Sequence, residues 1–216
     1  MIRLIGKHIK AVIFDFDDTL VETIDAKWAS HKYIASKHYG KILTDDDIRP
    51  HWGKPLRTLV GILYGDQDLD RALAYERSTH RQFPKPIFDD TLKVLRAFKQ
   101  SGMQLGLVTA TTRDNLITDL EVTNIPEDLF GYTQTQDDTK FHKPDPRVFD
   151  PVKAWLDTLR IKPKETVYVG DGLYDLEAAL AAGFEFIGVA TGLVTQEEFH
   201  SRRVRSVRQL SDLLDL

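Results

Sequence analysis

The stretch KAVIFDFDDTL, Lys10 to Leu20, decides how the rest of the chain is read. An apolar run, Ala11-Val12-Ile13-Phe14, ends in three aspartates within four residues: Asp15, Asp17 and Asp18. Aspartate is a poor strand former. Two carboxylates about 5 Å apart repel by roughly 3 kcal/mol at an effective dielectric of about 20. A strand that ends on such a cluster needs positive charge to gather beside it. Side chains alternate along a strand, so Asp15 and Asp17 share a side while the chain stays roughly extended.

Working outward, three further apolar runs read as buried strands: QLGLVT at 104–109, TVYVG at 166–170 and EFIGVA at 185–190. GYTQT at 131–135 is a weaker one. Each is bounded by charge or glycine and is rich in β-branched or aromatic residues. Helical patterns lie between them. Asp89 or Asp90 can cap a helix carrying Leu92, Leu95 and Phe98 at a period near 3.6, stopped by Gly102. Other helices are expected after Thr111 or Thr112, from about Pro146 to Leu159, over LYDLEAALAAG ending at Gly183, and in the amphipathic tail RSVRQLSDLLDL. Strands apolar on both faces, alternating with helices, imply an α/β fold: a Rossmann-like parallel sheet flanked by helices. In such sheets ligands bind at the carboxyl ends of the strands. Asp15, Thr109 and Asp171 each end one of these runs.

Residues 20–86 break the alternation. They contain no convincing strand and read as helices over Ala26–Tyr39, just after Thr44, over Pro55–Leu63 and over about Asp68–Phe83. The division expected is a core of residues 1–19 and 87–216 with a helical insertion, 20–86, placed over the first acidic cluster.

Composition narrows the function. A chain of 216 residues with 42% hydrophobic residues can bury a core, and a net charge of −4 argues against a general nucleic-acid binder. The absence of cysteine removes disulfides and thiolate metal sites. The opening MIRLIGKHIKAVIF lacks a leader pattern, and the longest nearly apolar segment, Ala178–Ala190, is too short to span a membrane. A cytoplasmic protein with no nucleic-acid and no membrane partner is the expectation; its oligomeric state is open.

A second acidic cluster stands in VGDGLYD, where Asp171 leaves a strand and Asp175 follows as a helix begins. Carboxylates from separate strand ends, gathered at one sheet edge, suit a hard divalent cation; oxygen-only ligands at a partly open site favour Mg²⁺. Thr109 stands ahead of a helix N-terminus, which favours an anion. Lys143, in KFHKPDP, can neutralise a phosphate.

This ordered set resembles the haloacid dehalogenase superfamily, in its helical-cap phosphoglycolate phosphatase and β-phosphoglucomutase-like branch. DFDDT at 15–19 looks like the first motif, Thr109 the second, Lys143-Pro144 the third and GDGLYD at 170–175 the fourth. The resemblance implies a Mg²⁺-dependent phosphatase acting on a small phosphorylated molecule through an aspartyl-phosphate. Asp15 would be the nucleophile and a metal ligand. Asp17 would act as acid and base while its backbone carbonyl binds the metal. Asp171 would bind Mg²⁺, Asp175 would support the metal through water or hold Lys143, and Thr109 and Lys143 would hold the phosphoryl group. Dehalogenases of the superfamily lack the second aspartate, so Asp17 points to phosphoryl transfer. Ala110 departs from the asparagine that many relatives carry there. The insertion then resembles the family's helical cap, in which HWGKPLRTLVG at 51–61 is the best candidate for a specificity segment and Arg57 the candidate substrate-binding residue. Asp18 reads as a turn residue. The alternatives are a phosphomutase of the β-phosphoglucomutase type and a receiver-like binding module without turnover.

Overall fold

The computed structural model describes residues 5, 6 and 8–216. Residues 1–4 and 7, part of the opening segment read above as lacking a leader, lie outside the described residues. The chain forms two compact units, Met1–Glu22 with Pro86–Leu216, and Thr23–Lys85.

The larger unit is built on six parallel strands: β1 Ala11–Phe14, β2 Gln104–Val108, β3 Tyr132–Gln134, β4 Thr166–Gly170, β5 Glu185–Val189 and β6 Ser206–Val207. Their order is β3-β2-β1-β4-β5-β6. The chain therefore runs outward from β1 to β3, crosses back, and continues from β4 on the other side. That reversal makes the carboxyl end of β1 a topological switch point, where α/β sheets bind ligands.

Both faces of the sheet are covered, which is why its strands are apolar runs without alternation. On one face Val12, Phe14, Leu107 and Val169 pack with Val94, Leu95 and Phe98 of helix Thr91–Gln100, with Leu116 and Leu120 of helix Arg113–Thr123, and with Leu210 and Leu213. On the other, Ile13, Val108, Tyr168 and Phe186 pack with Val152 and Leu156 of helix Asp150–Thr158, with Leu176 and Ala179 of helix Leu173–Ala181, and with Phe199 of helix Gln196–Ser201.

The smaller unit is helical: Ile24–Tyr39, Asp45–Ile48 followed by a 3₁₀ turn, Arg49–His51, then Leu56–Tyr64, and Leu69–Thr79 followed by a second 3₁₀ turn, His80–Gln82. Gly40 and Gly65 end the first and third in left-handed backbone, with φ of 62° and 65°. Its interior holds a polar knot. His31 Nδ1 lies 2.9 Å from Glu76 Oε1, and the Tyr64 hydroxyl donates to the same oxygen. No helix among the described residues is long and apolar enough to cross a membrane.

Three local readings are refined. The short helix expected to close the tail is a 3₁₀ helix, Leu210–Asp215, and Ser206–Val207 before it add a sixth strand beside β5. Leu210 and Leu213 are both buried, and the i,i+3 spacing suits three residues per turn. The helix expected from Pro146 is split into a 3₁₀ turn, Pro146–Phe149, and an α-helix that begins at Asp150 with Pro151 in its first turn. Asp90 stands at the N-cap of Thr91–Gln100 but makes no side-chain cap; its Oδ2 accepts from the Ser211 amide at 2.6 Å instead.

Candidate active site

The register of the sheet sets the site. Phe14 lies opposite Leu107 of β2 and Val169 of β4, so the residues that follow these three emerge at one edge. The ladder continues one residue beyond β1 and β2. The Asp15 amide donates to the Val169 carbonyl at 2.8 Å, and the Thr109 amide to the Gln134 carbonyl at 3.0 Å. Both side chains thus leave a pinned backbone. Asp18 then turns the chain with φ of 53°, a conformation Asp tolerates better than most residues.

At this edge Asp15, Asp171 and Asp175 converge. One carboxylate oxygen from each lies within 4.8 Å of the other two. Lys143, half-buried in the same place, donates to Asp15 Oδ1 at 2.7 Å and pairs with Asp175 Oδ1 at 2.6 Å. The Lys143–Pro144 peptide is cis. Asp175 is the third residue of its helix, and its other oxygen accepts the Gly172 amide at 3.0 Å. It therefore caps the helix and holds the lysine at once.

Burial makes this arrangement expensive in charge. Burial pushes Asp15 up to about 7; Lys143 pulls against it, and the negative Asp175 and Asp17 add to the rise. Burial also drives Asp171 well above the ordinary carboxylate range, helped by Asp175, Asp15 and Asp18. Burial alone would lower Lys143, but Asp15 and Asp175 outweigh it and hold the ammonium well above its ordinary value. Among the described residues, no group donates a hydrogen bond to the Asp171 carboxylate. Two buried acids and a half-buried third against one half-buried lysine leave uncompensated negative charge. The donor set is oxygen only, and it fits a hard divalent cation.

Two glycines make room for these acids. A Cβ at Gly192 would stand 1.8 Å from Asp171 Oδ2, and one at Gly170 would stand 2.8 Å from the Asp175 carboxylate carbon. The loop after β5 is also tied to the first acidic loop, because the Thr191 hydroxyl donates to the Asp18 carbonyl.

Asp17 and Thr109 lie beside this group. Asp17 is half-buried, and its Oδ2 accepts from the Thr111 hydroxyl at 2.7 Å. Thr109 is buried, and its Oγ1 accepts the Thr111 amide at 3.0 Å. Arg57 belongs to the helical unit, where it is exposed and its Nη1 donates to Asp70 at 2.6 Å.

Sequence reasoning passed over Thr111, Tyr168 and Gly192. Tyr168 lies under the lysine, with Lys143 Nζ 5.1 Å from its ring centre and its hydroxyl donating to the Val108 carbonyl at 3.2 Å. The signal for Thr111 was its place two residues after Thr109, in the turn at the sheet's carboxyl edge. Gly192 carried no local signal.

Comparisons with known proteins agree with this architecture. The model of the haloacid dehalogenase-like hydrolases matches residues 12–189. The chain is 30% identical over 209 residues to a protein of Bacillus pumilus named pyrophosphatase PpaX, covering 95% of each chain. It is 30% identical over 186 residues to the PpaX of Bacillus velezensis, covering 85% of this chain and 84% of the relative. A crystal structure from Bacteroides fragilis, provisionally assigned as a haloacid dehalogenase-like hydrolase, superposes with a TM-score of 0.79 at 28% identity, over 95% of this chain and 99% of that one. With a family match across most of its length and a parallel sheet of the same architecture, the chain belongs to the haloacid dehalogenase-like hydrolase family.

Proposed function

We propose that the chain is a Mg²⁺-dependent phosphatase that hydrolyses a small-molecule phosphate monoester through an aspartyl-phosphate on Asp15. The convergence of three carboxylates within 4.8 Å, two buried and one half-buried, beside a half-buried lysine, carries this reading. Relatives named as pyrophosphatases support a phosphoryl group as the group attacked.

The carboxylates of Asp15 and Asp171 and the backbone carbonyl of Asp17 would hold the ion. When bound, it withdraws charge from the phosphoryl oxygens. The remaining work falls to the chain's own groups. Asp15 attacks phosphorus as the ester oxygen leaves, and Asp17 gives its proton to that oxygen. Asp17, now a carboxylate, takes a proton from water; the water oxygen attacks phosphorus, the Asp15–phosphorus bond breaks, and inorganic phosphate departs. Lys143, oriented by Asp15 and Asp175, neutralises charge on the moving phosphoryl group. Thr109 accepts the Thr111 amide, which leaves its own hydroxyl proton to donate to a phosphoryl oxygen.

A panel of phosphate monoesters, with inorganic pyrophosphate included, tests the proposal. Steady phosphate release with Mg²⁺, stopped by a chelator, is expected. Release from no member of the panel, or release indifferent to chelation, would sink it.

Metal and pH are linked. Asp15 has a folded pKa of about 7 against 3.8 for the free side chain, a rise worth roughly 4 kcal/mol. Its contribution to the metal-free protein is whole below about pH 4 and disappears as pH rises through 7. A cation that binds the ionised carboxylate offsets that loss. The Mg²⁺-induced rise in Tm should therefore be small at pH 5 and large at pH 8. Differential scanning fluorimetry at both pH values reads this, and an equal rise at both contradicts it.

A further inference from the structure

We propose that Thr111 is a positioning residue that aims the acid–base carboxyl of Asp17 at the leaving group; this rests on the phosphatase reading above. Three contacts fix Thr111 in place. Its amide donates to Thr109 Oγ1 at 3.0 Å, its carbonyl accepts the Gln136 amide at 3.2 Å, and its hydroxyl donates to Asp17 Oδ2 at 2.7 Å. A β-branched side chain on so constrained a backbone has few rotamers, so the hydroxyl points in a set direction.

Asp17 stands where the chain leaves β1 for the Asp18 turn. The torsion that turns a carboxyl group is broad and roughly two-fold. The Thr111 donor on Oδ2 narrows that range and gives the two oxygens different surroundings. The proton that the acid carries then sits on Oδ1, and it passes from there to the ester oxygen as the phosphorus–oxygen bond breaks. In the second half of the cycle the same oxygen receives the proton of the attacking water. Thr111 also binds Thr109 through its amide, so one residue orients both the acid and the phosphoryl-binding hydroxyl. Of these two contacts, only the one to Asp17 depends on the Thr111 hydroxyl.

Thr111→Val keeps the β-branch and the amide while removing the hydroxyl. The test is the first-turnover rate of phenol release, with Mg²⁺ present, from phenyl phosphate and from 4-nitrophenyl phosphate. Phenolate, whose conjugate acid has a pKa near 10, needs a proton to leave, whereas 4-nitrophenolate leaves far more readily without one. Thr111→Val should slow release from phenyl phosphate about tenfold more than release from 4-nitrophenyl phosphate, as expected for loss of a hydrogen bond to a charged group. KM should change little, and Thr111→Ser should restore the parent ratio. Equal slowing of both substrates, or no restoration by serine, would overturn the proposal.

Asp17→Asn separates this failure from failure of the underlying reading. If that variant keeps first-turnover release of 4-nitrophenolate but loses that of phenol, Asp17 is the acid, and a flat Thr111→Val result counts against Thr111 alone. If it slows both substrates alike, the assignment of Asp17 as acid fails, and the role given to Thr111 fails with it.

Discussion

Asp15→Asn should reduce phosphate release by at least ~10⁴-fold without lowering the Tm of the metal-free protein at pH 8. The catalytic half of this expectation follows from the proposed covalent step. A carboxamide oxygen is a poor nucleophile, and water held in its place lacks the geometry of a residue pinned to β4 through its own amide. The stability half follows from burial. At pH 8 the Asp15 carboxylate is ionised against the pull of burial and of Asp175 and Asp17. The neutral amide removes that repulsion, and its oxygen can still accept from Lys143, which keeps its 2.6 Å contact to Asp175. Steady-state phosphate release and thermal unfolding of the two proteins measure both halves. More than about a hundredth of parental activity would remove Asp15 as the nucleophile. A large drop in Tm would show that its charge supports the fold rather than straining it.

Lys143→Met carries the second large effect, and it acts in the opposite sense on stability. Methionine fills similar space, but Asp15 and Asp175 then share a buried site without their cation. Removing one partner of a buried pair typically costs about 3–5 kcal/mol. The loss should be greatest at pH 8. At pH 5, below the folded pKa of about 7, Asp15 binds a proton and the repulsion falls away. Urea unfolding of the metal-free proteins at the two pH values measures the difference. Activity with Mg²⁺ should fall by ~10³-fold or more, as expected for loss of a charge that stabilises the moving phosphoryl group. Lys143→Arg should not restore it, because a planar fork cannot occupy the place of a compact ammonium between two carboxylates. Equal destabilisation at both pH values would show that the ion pairs do not govern the site's stability.

Much of the fold was legible because its signals are local. The strands that became β1, β2, β4 and β5 are short apolar runs stopped by charge or glycine, and two covered faces leave no alternation to confuse the reading. The same stops, Asp15 and Asp171, mark the edge at which the acids gather. A short helix closes the tail as its leucines predict, but over so few residues their spacing fits an α-helix and a 3₁₀ helix about equally well. Packing against the sheet chose between them. The segment from Pro146 reads as one helix because its apolar residues keep helical spacing, but Pro151 fits only a first turn and so marks a fresh start at Asp150.

The supporting residues were hidden for a different reason. Thr111 and Asp17 are 94 residues apart, and Gly192 matters only because the Asp171 carboxylate occupies the space of a Cβ there. No window of sequence contains such a relation.

The chain's order of residues determined which side chains could carry negative charge at a strand's end, and that the strands would lie parallel with helices on both sides. Periodicity and stop residues act over a few positions, so they are written along the chain itself. Only the tertiary structure decided that acids from two strand ends come within 4.8 Å, that Lys143 lies between two of them, and that burial lifts Asp15 to about 7. Those outcomes depend on separation through space and on exclusion of water, and charges interact by distance and dielectric rather than by position in a sequence.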